Sequence, residues 1–273
     1  MNTQIENLMT KPKSVMPDVQ GSSDSRNVAI DKVGVKAVRY PITLRQACGG
    51  EQHTIASINL YVSLPKHKKG THMSRFLEIL NAHHRAITPQ LIIPILHEVR
   101  TKLSADTAHI EMSFPYFIEK SAPVSGAKGL MDYTCSFEGT SNGDDDFILG
   151  VRAPATSLCP CSKEISMYGA HNQRCEITAR VRMKGMLWIE DLVTIMEGAA
   201  SAPVYAVLKR PDEKFVTEQA FDNPKFVEDI IRDLAVALDN DDRITWYSIQ
   251  SENFESIHNH NAYAMIERDK RHD

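Results

Sequence analysis

Two thiols and an imidazole lie close together in a polar stretch at residues 157–174. Cys159 and Cys161 are separated by Pro160 alone, and His171 follows in a segment rich in turn-forming residues. Thiolate and imidazole are preferred ligands of zinc and similar ions, so Cys159 and His171 could share one metal. No second pair of close ligands follows, so the spacing suits an open, catalytic site better than a zinc finger. The alternative is two apolar thiols beside a histidine that binds nothing.

A second group of reactive side chains lies near the end of the chain, at residues 252–261. Glu255 and His258 could transfer protons, because imidazole titrates closer to neutral pH than any other side chain. His260, two positions further on, is interpreted as an ordinary loop residue.

Two other carboxylates could take part in binding. Glu228 follows apolar Phe226 and Val227 on a predicted helix. A carboxylate in this setting can accept two hydrogen bonds from the guanidine-like edge of a purine or pterin, although a solvent-facing helix glutamate is the simpler interpretation. Glu213 is expected just past a helix end, where it could be a metal ligand or an exposed turn residue.

The densest positive charge in the chain falls at residues 66–75. Lys66, His72 and Arg75 could hold a polyphosphate, helped by the positive end of the helix predicted to follow. The segment lacks the Gly-x-x-x-x-Gly-Lys-Ser/Thr pattern of a P-loop. A solvated basic turn explains the same charges equally well.

Length and composition exclude several classes of protein. The chain has 273 residues, is 42% hydrophobic and 24% charged, and carries a net charge of −4. These values are typical of a soluble globular protein and argue against a general nucleic-acid binder. No apolar run approaches the roughly 20 residues that cross a bilayer, and residues 1–26 lack the apolar core of a secretory leader. We therefore expect no membrane or nucleic-acid partner, and a cytoplasmic location where the five cysteines stay reduced.

Hydrophobic periodicity predicts an α+β fold built from a repeat. Each half of the chain reads strand, strand, helix, helix, strand, strand over roughly 110 to 120 residues. The sequence predicts strands at 33–44, 53–64, 109–119, 128–138, 147–153, 176–183, 244–250 and 261–266, and helices from about 71 to 84 and at 89–102, 189–208 and 224–238, with 157–174 as a structured loop.

Such a repeat predicts antiparallel sheets with their helices on one face. We expect a flexible tail at residues 1–28, a first module at 29–142, and a second at 143–273 that carries the Cys/His stretch. Open sheet edges need partners, and association of subunits into a closed barrel would supply them. The chain is therefore expected to form an oligomer.

Three motifs together resemble the prokaryotic type IB GTP cyclohydrolase I family. They are the basic segment at 64–76, the Cys/His segment at 160–174 and the segment at 255–264, and the resemblance extends over about residues 30–267. It implies two tunnelling-fold (T-fold) modules per subunit and a homotetramer. It also implies conversion of GTP and water to 7,8-dihydroneopterin triphosphate and formate. This is the first step of tetrahydrofolate synthesis, and its product also feeds the deazaguanine nucleosides of tRNA.

The resemblance also implies roles for individual residues. It makes Cys159 a metal-linked cysteine, with Glu213 and either His171 or His258 near an ion that could be zinc, manganese or iron(II). The metal ligands expected from the resemblance are Cys159, His171 and Glu213, and the expected catalytic residues are Cys159, Cys161, Glu255 and His258. Glu228 would anchor guanine, while Lys66, His72 and Arg75 would hold the triphosphate. The alternative is another T-fold purine or pterin enzyme, such as a nitrile reductase that forms a thioimide through Cys161.

Overall fold

The computed structural model describes residues 17–84 and 87–271, so most of the predicted tail lies outside the described residues. Within that part the strands are β1 (Ile30–Arg45), β2 (Glu51–Leu64), β3 (Ala108–Ser121), β4 (Lys128–Ser141), β5 (Asp146–Leu158), β6 (Asn172–Met183), β7 (Ala202–Pro203), β8 (Ile244–Asn253) and β9 (Ala262–Asp269). The helices are α1 (Met73–His83), α2 (Pro89–Leu103), α3 (Pro160–Ile165), α4 (Ile189–Ala199), α5 (Arg210–Asp222) and α6 (Val227–Asp239).

The strands form one antiparallel sheet in the order β1-β2-β3-β4-β5-β6-β8-β9, with short β7 added beside β5. The two halves join through β4 and β5, which pair from Thr134↔Arg152 to Thr140↔Asp146. The predicted α+β class, the antiparallel sheet and the helices on one face are confirmed. The repeated order of strands and helices is also present, with extra elements in the second half.

Alternation along the strands creates the apolar face on which the helices pack. In β4, Tyr133, Cys135 and Phe137 are buried while their neighbours are less so. The helix α2 packs closely against this strand at Gly139, where a Cβ atom would lie 2.7 Å from the side chain of Ile92. Helix and sheet thus share one apolar core, which extends across both halves of the chain.

The helix predicted at residues 189–208 is wrong in its second half, because α4 ends at Ala199. The backbone amide of Ser201 donates to the carbonyl of Thr156 at 3.0 Å, and the chain then pairs with β5 as β7. Pro203 explains the break, since proline lacks the amide hydrogen that a helix needs and pushes the preceding residue into extended backbone.

The helix α5 was not predicted. Its sequence signal is Pro211 in the first turn followed by Asp212, whose carboxylate accepts a hydrogen bond from the backbone amide of Lys209 at 2.8 Å. Proline in the first turn and an acidic capping residue are typical of a helix start. Glu213 therefore lies inside the first turn of a helix, and the expectation that it follows a helix end is wrong.

The stretch between β5 and β6 is more regular than the predicted loop. It begins with α3, whose N-cap is Cys159 and whose first residue is Pro160. Gly169 then takes a φ of +119°, which only glycine adopts without strain, and turns the chain back towards β6. None of the helices formed by the described residues combines the length and apolar character needed to span a bilayer.

Candidate active site

A pocket of about 430 Å³ opens at one end of the sheet. Its walls come from the end of β5, the short helix α3, the start of β6, the start of α6 and the β8–β9 connection. Six side chains that the sequence singled out line this one pocket: Cys159, Cys161, His171, Glu228, Glu255 and His258.

Strand pairing brings these separate segments together. The strands β5 and β6 pair up to Leu158↔Asn172, so the segment between them returns to its starting point. The backbone amide of Cys159 donates to the carbonyl of His171 at 3.1 Å and closes this loop. Pairing of β6 with β8 reaches Cys175↔Asn253, which places the β8–β9 connection alongside.

The start of α6 is fastened to the end of β5. The backbone amide of Lys225 donates to the carbonyl of Leu158 at 3.0 Å, and the hydroxyl of Ser157 donates to the carbonyl of Lys225 at 3.0 Å. Glu228 lies on the first turn of α6, three residues beyond this attachment. Its carboxylate therefore faces the same pocket as the thiols, and its side chain is exposed for binding.

The two thiols occupy different environments. Cys159 is half-buried, and its sulfur accepts a hydrogen bond from the backbone amide of Ser162 at 3.4 Å. Cys161 is exposed at the pocket wall. A fixed, partly buried sulfur suits a ligand, whereas an exposed one can approach a substrate held in the pocket.

The imidazoles of His171 and His258 also differ in how firmly their surroundings hold them. Nδ1 of His171 lies 3.0 Å from Oε1 of Gln173 and 3.1 Å from Oγ of Ser256, so this ring is held from one side. His258 is exposed, and its ring stacks on that of His260 with centroids 5.1 Å apart. His260 therefore lines the pocket as well, a position that its sequence context did not reveal.

Sequence reasoning also missed three buried polar residues under the pocket, Ser157, Gln173 and Asn253. All three occupy inward-facing strand positions, where a polar side chain must find a hydrogen-bond partner. That departure from the apolar pattern is the signal that could have identified them.

The donor types fit a divalent ion in part. Cys159 and His171 line the same pocket and supply the sulfur and nitrogen ligands that zinc takes. Glu213 is exposed on the first turn of α5 and does not line the pocket. Across residues 17–84 and 87–271, no three His, Cys, Asp or Glu side chains are grouped so that they could hold one metal ion. The chain thus presents two donors of the expected set in one pocket.

The basic segment lies at the other end of the sheet. β2 and β5 run in opposite directions, so β2 begins at the end of the sheet where β5 ends. The pocket lies at that end, whereas the basic segment follows the last residue of β2 at the opposite end. The 14 residues of β2 span about 45 Å, and Lys66, His72 and Arg75 do not line this pocket. His72 instead lies 3.3 Å from the carboxylate of Asp18.

The fold is the tunnelling fold, which two solved structures share. Uricase from Bacillus fastidious superimposes with a TM-score of 0.52 at 8% sequence identity, over 89% of this chain and 93% of that chain. Urate oxidase from Bacillus subtilis 168 gives a TM-score of 0.51 at 8% identity, over 88% and 99%. At such low identity the likeness shows the fold alone.

The chain belongs to the type I GTP cyclohydrolase FolE2 family, whose model matches residues 16–264. It is 59% identical over 256 residues to GTP cyclohydrolase FolE2 of Geobacter sulfurreducens, covering 94% of this chain and 99% of that protein. It is 58% identical over 257 residues to the enzyme of the same name from Syntrophobacter fumaroxidans, covering 93% and 100%. The resemblance read from the three motifs is confirmed. The comparisons give no support to the nitrile reductase alternative.

Proposed function

We propose that the protein converts GTP and water to 7,8-dihydroneopterin triphosphate and formate. The supporting observation is the single pocket in which two thiols, His171, Glu228 and His258 converge, in a chain of the FolE2 family. The reaction would be the first step of tetrahydrofolate synthesis, and the same product would also serve synthesis of the deazaguanine nucleosides of tRNA.

Guanine recognition falls to Glu228 in this proposal. A carboxylate has two oxygens that accept hydrogen bonds, which match the ring N–H and the amino group on one edge of guanine. The backbone of Lys225 ties the start of α6 to the end of β5, and Glu228 follows in the first turn of that helix. The backbone of Glu228 therefore has a fixed position beside the pocket. In this proposal the base would lie with its five-membered ring towards the thiols.

Proton transfer falls to Cys161, His258 and Glu255. Protonating the ring nitrogen next to C8 makes that carbon electrophilic, so that one water can add to it and the ring can open to a formamide. A second water hydrolyses the formamide and releases formate. The opened and rearranged ribose then closes on the freed amine with loss of one water, so that one water is consumed overall. His258 or Cys161 is the donor in this proposal, since both are exposed at the pocket wall. Glu255, half-buried beside them, would return the proton to His258.

A divalent ion, zinc, manganese or iron(II), is proposed to bind at Cys159 and His171, with His258 as the other possible histidine ligand. Such an ion supplies Lewis-acid activation of water. Glu213 would complete the set from a second subunit, because its helix turn lies outside the pocket of its own chain. Mixing inactive Cys159→Ala and Glu213→Gln proteins under conditions that exchange subunits should then restore part of the activity. No recovery in verified mixed oligomers would refute the shared site.

The triphosphate contacts and the assembly are proposed together. Lys66, His72 and Arg75 could contact GTP only across a subunit boundary, because they lie at the far end of their own sheet. A homotetramer built from barrels that close the β1 and β9 edges would supply such boundaries. We infer a cytoplasmic enzyme, since all five of its cysteines are free thiols that need a reducing compartment.

Incubation of the purified protein with GTP and Mn²⁺ tests the proposed function. A fluorescent pterin after oxidation, with an equal amount of formate, is the expected result. Cys161→Ala is the matched negative control, because it removes one exposed thiol. NADPH consumption on a nitrile substrate would instead favour the reductase, and GTP binding without turnover would indicate a binding module.

A further inference from the structure

A chain of buried polar side chains runs beneath His171. The hydroxyl oxygen of Ser157 accepts hydrogen bonds from the amide nitrogens of Gln173 at 3.3 Å and Asn253 at 3.0 Å. The side-chain oxygen of Asn253 accepts in turn from Ser251 at 3.3 Å. Ser157, Ser251, Asn253 and Gln173 are 0%, 0%, 2% and 7% exposed, so water does not compete for these bonds.

One backbone carbonyl sets the direction of the whole chain. The hydroxyl of Ser157 has a single hydrogen, and it donates this hydrogen to the carbonyl of Lys225 at 3.0 Å. A carbonyl can only accept, so the Ser157 oxygen is left to accept from its other neighbours. Both amides must therefore turn their NH₂ groups towards Ser157. Gln173 consequently directs its oxygen away from Ser157.

That oxygen lies 3.0 Å from Nδ1 of His171. An amide oxygen can only accept, and a bare Nδ1 would face it with a second lone pair, so Nδ1 carries the ring hydrogen when the imidazole is neutral. Oγ of Ser256, 3.1 Å from the same nitrogen, can accept as well as donate and is compatible with this tautomer. Nε2 then keeps its lone pair. Second partners of this kind commonly fix the tautomer and the orientation of an imidazole that binds a metal or an acid.

We propose that Gln173 is a positioning residue that holds His171 as the Nδ1–H tautomer and so presents the lone pair of Nε2 for binding. Ser157 and the carbonyl of Lys225 fix the amide orientation on which this depends. The inference rests on the proposed function in one respect only, which is that the group bound by Nε2 is a divalent ion. Since Lys225 leads directly into the turn bearing Glu228, the same carbonyl links the imidazole to the base-binding helix.

The tautomer can be measured directly in the protein without added metal. Long-range ¹H–¹⁵N correlation spectra of ¹⁵N-histidine-labelled protein, recorded where imidazole is neutral, separate protonated from bare ring nitrogens. The His171→Asn spectrum identifies the signals of His171. The expected result is a protonated Nδ1 and a bare Nε2. A proton on Nε2 in the unaltered protein would overturn the proposal without any variant.

Variants test whether the hydrogen-bond acceptor of Gln173, and not the shape of its side chain, fixes the tautomer of His171. Gln173→Met keeps the length but removes the acceptor, so the tautomers should mix and the Kd for Zn²⁺ should rise about 10- to 100-fold. Gln173→Glu keeps an oxygen facing Nδ1 and should preserve the tautomer, although it loses the hydrogen bond to Ser157 and should lower the stability. Gln250→Met, at an exposed position on β8, is the control and should change neither property.

An unchanged tautomer and unchanged Zn²⁺ affinity in Gln173→Met would contradict the proposal. If that variant fails to fold, the spectrum of the unaltered protein and of Gln173→Glu still decides. Both spectra are independent of GTP turnover, so a failure of the proposed reaction would be recognised separately.

Discussion

The hydroxyl of Ser125 donates a 2.6 Å hydrogen bond to the carboxylate of Asp212, joining the β3–β4 hairpin of the first half to the first turn of α5 in the second. The backbone amides of Val124 and Ser125 donate to the same carboxylate, each at 2.8 Å. Asp212 is fully buried. Its burial favours the neutral acid, but the hydrogen bonds from Ser125 and the backbone amides outweigh this and hold the pKa of Asp212 below its usual range.

Asp212→Asn should lower the melting temperature at neutral pH, because an amide cannot accept all of these hydrogen bonds. A carboxyl whose pKa is lower in the folded than in the unfolded protein stabilises the fold above the unfolded value, about 3.9. That contribution disappears as the pH falls through the folded-state value. Thermal unfolding of both proteins from neutral pH downwards should therefore show melting curves that converge in acid.

The control for this series is Asp222→Asn, at the exposed end of the same helix. It should follow the unaltered protein at every pH. A constant difference between Asp212→Asn and the unaltered protein down to the lowest pH would show that the carboxylate is not the source of the stability.

A largely buried ion pair forms a second link between the halves. Nζ of Lys120 on β3 lies 2.8 Å from Glu197 on α4, and the two side chains are 14% and 13% exposed. The hydroxyl of Tyr133 also donates to Glu197 at 2.7 Å, and burial together with the nearby carboxylate raises the pKa of Tyr133, which keeps that hydrogen in place. Each charge thus depends on the other to offset the free-energy cost of burying it.

Lys120→Met and Glu197→Gln should each reduce the free energy of unfolding by about 3 to 5 kcal/mol, because each leaves one buried charge unpaired. The double variant should lose less than the sum of the two single losses. Chemical denaturation of all four proteins measures this. Additive losses would mean that the two charges do not depend on each other.

Substitutions of the two pocket thiols should have different effects on bound metal and on turnover. Cys159→Ala should reduce both bound metal and turnover, since its half-buried sulfur is the proposed ligand. Cys161→Ala should keep the metal and lose turnover. Metal analysis of the purified proteins and kcat with GTP test this. Cys48→Ala, exposed on the β1–β2 turn, is the control and should retain both properties.

Glu228→Gln should weaken guanine recognition more than it slows the chemical step. An amide offers one acceptor oxygen in place of two, so the KM for GTP should rise about 10- to 100-fold with a smaller change in kcat. Glu218→Gln, exposed on α5, is the matched control. An unchanged KM for Glu228→Gln would remove the assignment.

Local sequence was enough to predict most of the secondary structure. Alternating apolar residues in β2 and β4 and the periodic apolar face of α2 depend on short-range spacing, and the structure confirms these elements. The end of α4, the short helix α3 and the whole of α5 were missed. The apolar run continued past Ala199, although Pro203 disfavours a longer helix, and the chain there pairs with distant β5 as β7.

The candidate site also combines residues that are neighbours in the sequence with residues that only the fold brings together. Cys159, Cys161 and His171 are near one another in the chain, so their spacing alone suggested shared chemistry. Glu228 and His258 join them only because β6 pairs with both β5 and β8 and because Lys225 is attached to Leu158. Their catalytic and binding roles remain predictions, as does the role of Glu213.

The sequence by itself determined which reactive residue types this protein carries and which family it resembles, because both are written in contiguous motifs. Only the tertiary structure decided which of these residues share a pocket. Antiparallel pairing sends the basic turn and the pocket to opposite ends of the sheet. Hydrogen bonds between distant residues also decide how Gln173 faces His171. Such relations depend on contacts between segments far apart in the chain, which local spacing cannot encode.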